Sequence, residues 1–145
     1  MSATYDGPTY DNIAKGAELP ARTYQVTRLD LIKYAGASGD FNIIHWNERV
    51  ARSVGLPNVI AHGMYTMAVA GRVLTDWVGD PAAVEEYFVR FSKPVVVPDD
   101  GVGALLEVSG KVTKALDAGR VQVDLTVLSA GQKVLGKATA VVRLP

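Results

Sequence analysis

From Met64 to Val73 only Thr66 and Arg72 are strongly polar. A helix that is apolar nearly all round has to be covered on most sides, so the rest of the chain must supply the cover. Gly63 opens this segment, and Gly79 and Pro81 stand just past Trp77, which predicts a helix over 63–77.

The cover is written in period two. Tyr87, Val89 and Phe91 alternate with Glu86, Phe88 and Arg90. Three further runs follow. Leu106, Val108 and Val112 share one face of the first, Val121, Val123, Leu125 and Val127 one face of the second, and Val134, Ala138, Ala140, Val142 and Leu144 one face of the third. Asp117–Ala118–Gly119 and Ala130–Gly131 are hairpin turns, and short links between adjacent strands imply an antiparallel meander. Upstream, Thr23 to Thr27 suits a short strand. Thr27 then caps a helix carrying Leu29, Ile32 and Ala35 and ending near Gly36. Asn47 caps a short helix to Val54, stopped by Gly55 and Pro57. The expected class is α+β, an antiparallel sheet wrapped around a central apolar helix. A length of 145 residues fits a single domain over 1–145, with a loose arm over about 1–15 where Gly7 and Pro8 break any periodicity.

Composition excludes several chemistries. Lys+Arg and Asp+Glu number 15 each, so no broad basic field exists to neutralise nucleic-acid phosphates. The absence of Cys removes disulfides, thiolate metal sites and thiol catalysis, and two His, at 45 and 62, are too few for a multi-histidine cage. Asp40, His45 and His62 also lack the helical H-x₃-H spacing of a metal site, and no Gly-rich phosphate loop or nucleophile elbow is present. The apolar stretch 59–74 falls short of the ~20 residues a membrane span needs. The N-terminus has neither a basic start nor an apolar core, which points to the cytoplasm.

Chemistry concentrates in two places. In Gly39–Asp40–Phe41–Asn42–Ile43–Ile44–His45 the Asp and His are five apart, a spacing that brings them together on neither a helix nor a strand. They converge only through irregular backbone, which Gly–Asp–x–Asn supplies. The result would be a carboxylate and an imidazole suited to acid/base work near neutral pH. From spacing alone, the plainer reading of Asp40 as a turn former and His45 as a structural residue is the stronger one. The second place is Ile60–Ala61–His62–Gly63–Met64. Gly63 opens the apolar helix, where unpaired first-turn N–H groups and the positive helix end can hold an oxyanion. Relief of crowding explains a glycine there equally well. His62 offers a second acid/base group, with a structural role favoured.

These residues carry a resemblance. Ser38-Gly39-Asp40-Phe41-Asn42-Ile43-Ile44-His45, followed by Ala61-His62-Gly63-Met64, resembles the motif pair of the MaoC-like (R)-specific enoyl thioester hydratases and dehydratases, a branch of the hot-dog fold. Tyr34 to Asp80 and the strand Glu86-Tyr87-x-Val89-Arg90-Phe91 are also similar to the catalytic subunit of the mycobacterial (3R)-hydroxyacyl-carrier-protein dehydratases. The family usually has Pro where this chain has Ile43, so the loop is less pre-organised here.

The resemblance implies reversible dehydration of (3R)-3-hydroxyacyl thioesters to trans-2-enoyl thioesters, the work of a hydro-lyase. It assigns Asp40 and His45 as the acid/base pair, the Gly63 N–H as the oxyanion donor and Asn42 as their support. It implies no metal or redox cofactor, and a substrate carried on coenzyme A or acyl carrier protein. A thioesterase and an acyl-binding subunit of a heteromeric dehydratase are the alternatives. An apolar helix only partly wrapped by one sheet, and a sheet with exposed edges, call for a second hot-dog unit in a homodimer or a heterodimer.

Overall fold

The computed structural model describes residues 6–145. Six strands, β1 (Glu18–Val26), β2 (Val84–Phe91), β3 (Ala104–Ala115), β4 (Arg120–Ser129), β5 (Gln132–Lys133) and β6 (Leu135–Arg143), form one antiparallel sheet. Its order is β1-β3-β4-β6-β2, with the two-residue β5 hairpinned to β4. The expected meander is β3-β4-β6. β2 joins it at the β6 edge and β1 at the β3 edge. The helices are α1 (Arg28–Ser38), α2 (Glu48–Ser53) and α3 (Gly63–Val78). Among the described residues no helix is long and apolar enough to cross a membrane.

α3 is the apolar helix foreseen in the sequence. It buries Thr66, Val69, Ala70, Val73, Leu74 and Val78 against the sheet. The alternating inner residues of β3 and β4, from Leu106 to Val127, close the core from the other side. Its remaining face, Met64, Ala68, Arg72 and Asp76, is exposed. Two glycines let the edge strand approach. A Cβ on Gly71 would lie 3.0 Å from the Tyr87 ring, and one on Gly63 would lie 3.1 Å from the Phe91 ring.

Four expectations change. Leu29 and Ile32 face solvent, 60% and 51% exposed, while Leu31 and Ala35 meet the core. The capping box of Thr27 and Asp30 starts α1 as expected, but the buried stripe is the i, i+4 pair one step round. α1 also runs through Gly36 to Ser38, because Gly39, at φ 78°, takes the left-handed cap. β1 starts at Glu18, well before Thr23. An edge strand tolerates Pro20, and the register shifts between Leu19 and Arg22. The arm is not loose over its described part. Tyr10 N–H donates to the Pro145 carbonyl at 3.0 Å, its hydroxyl donates to the Leu116 carbonyl, and Gly16 N–H donates to Val112 at 2.7 Å.

After β2 the chain crosses back to β3 through 92–103. It pairs on the way with the segment ahead of α3: Ala61 N–H donates to the Val95 carbonyl and Val97 N–H to the Val59 carbonyl, both at 2.9 Å. This strap fixes residues 59–61, on which the candidate site is built.

Candidate active site

Asp40 and His45 are brought together by a run of side-chain-to-backbone turns. Gly39 reverses the chain at the end of α1. The Asp40 N–H donates to Ser38 Oγ at 3.1 Å, the Asn42 N–H to Asp40 Oδ1 at 3.1 Å, and the Ile44 N–H to Asn42 Oδ1 at 3.3 Å. Small polar residues that bond their own backbone two residues on favour such turns over helix or strand. A 3₁₀ turn, Ile43–His45, completes the loop, and the Trp46 indole N–H ties it to the Phe41 carbonyl at 3.1 Å.

The strap then sets the imidazole. The Ile60 N–H donates to the Ile44 carbonyl at 3.3 Å, and the Ile60 carbonyl accepts from His45 Nδ1 at 2.7 Å. A carbonyl only accepts, so Nδ1 carries a proton, and in the neutral ring Nε2 presents its lone pair. Nε2 lies 3.9 Å from Asp40 Oδ2. The His45 side chain is 9% exposed and that of Asp40 52%. Asn42 acts on the pair indirectly: its N–H orients Asp40 Oδ1 and its side chain caps the turn that ends at His45.

His62, buried at 1% exposure, reaches the same place from the start of α3. Its Nε2–H donates to the Asp40 carbonyl at 3.1 Å. Its ring stacks on that of His45, centroids 3.7 Å apart at 23°, and meets Tyr34 of α1 edge-on at 4.8 Å. Burial first, and the neighbouring His45 next, push the His62 imidazole below its ordinary value, against the opposing pull of the Asp40 carbonyl and carboxylate.

Gly63 follows His62 as the first residue of α3. It lines a cavity of about 360 Å³ with Ile60, Ala61, Thr66, Phe91 and Lys93 among its neighbours. Asp40 and His45 are not in that lining, so Gly63 joins two regions: the cavity on one side and, through His62, the Asp40–His45 pair on the other. Sequence spacing spoke against a common ion, yet the ligand-capable atoms of Asp40, His45 and His62 lie within 4.8 Å of one another. The two rings stack nearly parallel, so their in-plane lone pairs run side by side instead of converging.

Sequence reasoning missed the frame around the loop. Arg28 at the start of α1 donates to the Val97 carbonyl at 3.1 Å, to Asn58 Oδ1 at 2.6 Å and to Glu48 of α2 at 3.2 Å. Two of these three partners are a backbone carbonyl or a loop side chain, and no periodicity marks them.

The family model described as "MaoC like domain" matches residues 12–130, and the chain belongs to that family. Both motif segments fall inside the match. A 79-residue stretch, 54% of this chain, is 40% identical to 3-hydroxyacyl-thioester dehydratase X of Mycobacterium tuberculosis (strain ATCC 25618 / H37Rv) and spans 27% of that protein. A solved MaoC-like dehydratase matches 96% of this chain with a TM-score of 0.92 and 41% identity, over 43% of its own length. R-hydratase PhaJ1 from Pseudomonas aeruginosa matches 94% of this chain with a TM-score of 0.81 and 26% identity, over 85% of its own length. The chain thus spans less than half the length of the first two. The fold is the hot-dog fold.

Proposed function

We propose that this chain is a hydro-lyase that reversibly dehydrates (3R)-3-hydroxyacyl thioesters to trans-2-enoyl thioesters. The observation that carries the reading is the Asp40–His45 pair, held 3.9 Å apart with the imidazole tautomer fixed by Ile60. That gap is too wide for a direct hydrogen bond, but both groups can reach one oxygen between them at ~2.8 Å. The oxygen is the C3 hydroxyl of the substrate in one direction and the attacking water in the other. Between them the two residues take the C2 proton and deliver a proton to the departing hydroxyl, work worth ~10²–10⁴ in rate. The Gly63 N–H, at the positive end of α3, donates to the thioester oxygen as charge develops there, worth a further ~10²–10³. No step requires a metal or redox cofactor. The thioester to phosphopantetheine is common to coenzyme A and acyl carrier protein, and the roles given to Asp40, His45 and Gly63 concern only the acyl thioester.

The relatives named dehydratase and R-hydratase support this reading. A second hot-dog chain is part of it: β2 leaves one edge unpaired among the described residues, and Phe88, Phe91 and Met64 stand 57%, 50% and 58% exposed around it. The test is incubation with crotonyl-CoA. Loss of the conjugated enoyl-thioester absorbance without free thiol supports hydration. Free thiol makes the chain a thioesterase, and binding with neither makes it an acyl-binding subunit.

A further inference from the structure

We infer that His62 is a positioning residue for the Asp40–His45 pair, its Nε2–H fixing the Asp40 peptide and its ring forming the floor under the His45 imidazole. The inference rests on the dehydratase reading above and adds a third residue to it.

Three observations carry it. First, Asp40 has a half-exposed side chain on an irregular loop, and the packed interior grips its backbone through one bond, from His62 Nε2 to the Asp40 carbonyl at 3.1 Å. Second, the His45 ring lies flat on the His62 ring at 3.7 Å, so the same side chain limits the tilt of the imidazole that faces Asp40. Third, His62 Nδ1 is buried with no hydrogen-bond partner. A buried, unsatisfied nitrogen destabilises a fold, and an apolar side chain would fill the space without it. What the imidazole adds over an apolar ring is the Nε2–H, and that hydrogen is spent on Asp40.

The geometry also fixes the tautomer. The Asp40 carbonyl can only accept, so Nε2 holds the proton of the neutral ring. A second proton would sit on Nδ1, where no acceptor waits. The titratable groups around the ring are Asp40 and His45 of the loop and Tyr34 of α1, which itself packs on Tyr65 of α3. Of these the Asp40 carboxylate favours a cation there, as the Asp40 carbonyl does more strongly. Burial acts in the opposite sense and is the larger effect. A ring that stays neutral holds the Asp40 peptide without placing a positive charge beneath His45.

The test compares three substitutions on the full chain. His62→Gln places an amide N–H near the position of Nε2. His62→Asn places it near Nδ1, out of reach of the carbonyl. His62→Phe keeps the ring and loses the donor. Hydration of crotonyl-CoA is expected to fall in kcat by about 10²-fold in the Asn and Phe variants, with KM within about threefold, because a misplaced catalytic group costs rate and not binding. The Gln variant is expected to recover most of the kcat. Wild-type kcat in both Asn and Phe would leave His62 a packing residue and overturn the inference. Equal, complete loss in all three folded variants would make His62 a proton-transfer group, which also overturns it. A readout independent of activity separates failure here from failure of the dehydratase reading. In nitrogen-15 spectra His62 is expected as the neutral Nε2–H tautomer at pH 8, and to protonate only below the ordinary imidazole range. The Nδ1–H tautomer, or protonation near the ordinary imidazole value of about 6.5, would contradict the inference even in an inactive protein.

Discussion

The Nδ1–H of His45 donates to the carbonyl of Ile60 at 2.7 Å, and this one bond decides which nitrogen faces Asp40. Ile60 is held in turn by the bridge to Val96 in the strap that follows β2. The orientation of the imidazole therefore depends on pairing between two segments outside the main sheet.

Asp40→Asn and His45→Ala are each expected to lower kcat/KM for an enoyl thioester by at least ~10²-fold while the thermal transition stays cooperative. The double variant should lose less than the product of the singles, since the two groups serve one oxygen. Near-wild-type turnover in either single variant would remove that residue from the mechanism.

At Gly63 a side chain meets the Phe91 ring, 3.1 Å from the position of a Cβ. Gly63→Val is expected to abolish hydration and lower Tm by several degrees, an overpacking effect of ~1–3 kcal/mol. Adding Phe91→Leu should restore most of the stability and none of the activity, because the valine still obstructs the thioester oxygen. Recovery of activity in the double variant would place the oxyanion site elsewhere.

Ile43 is the departure from the family motif, and the backbone ahead of it has the conformation that proline requires of its predecessor. Asn42 has φ −54° and ψ 125°, the extended conformation that precedes proline, and Ile43 is the first residue of its 3₁₀ turn, where proline fits. Ile43→Pro is expected to stabilise by ~0.4–1 kcal/mol in denaturant titration, through the unfolded state, with Asp40–His45 activity kept. A destabilised variant would show that the loop takes another path.

The α3 start and the turn chemistry of the site were legible in the sequence, and its convergence was not. Gly63 and Gly79 bounded α3 to within a residue because a helix end has its own chemistry. The reading that Asp40 and His45 meet only through irregular backbone was correct, and Gly39 with the Asp40 and Asn42 turns provides it. What joins them to His62 is the carbonyl of Asp40, and what orients His45 is the carbonyl of Ile60. Every residue has a carbonyl, so nothing in the side-chain sequence marks these two. The same holds for Arg28, whose reach to the Val97 carbonyl depends on where the strap lies. Leu29 and Ile32 misled because a helical stripe on α1 does not say which face meets the core.

Stability should depend on pH through His62. Its folded value lies below the ordinary one, so near and below pH 6.5 the unfolded chain binds a proton that the folded chain does not. This contribution is fully present above about pH 7 and is lost as pH falls from there towards the folded value. Tm is expected to drop between pH 7 and pH 5, and His62→Gln should flatten that drop. An unchanged slope in the variant would assign the acid sensitivity to other groups.

The free edge of β2 and the apolar groups around it predict assembly. Light scattering of the isolated chain should give about twice 15.5 kDa or a multiple of it. Phe88→Glu should weaken the assembly. A stable, active monomer at micromolar concentration would contradict the pairing.

The most direct test follows an oxygen atom. In water enriched in oxygen-18, the chain acting on a trans-2-enoyl thioester should place the label on C3, as the hydroxyl of an intact (3R)-3-hydroxyacyl thioester. Asp40→Asn and His45→Ala should remove the labelled product. Label found in a free carboxylate, with the thiol released, would show attack at the thioester carbon and contradict the assignment of Asp40 and His45 to hydration.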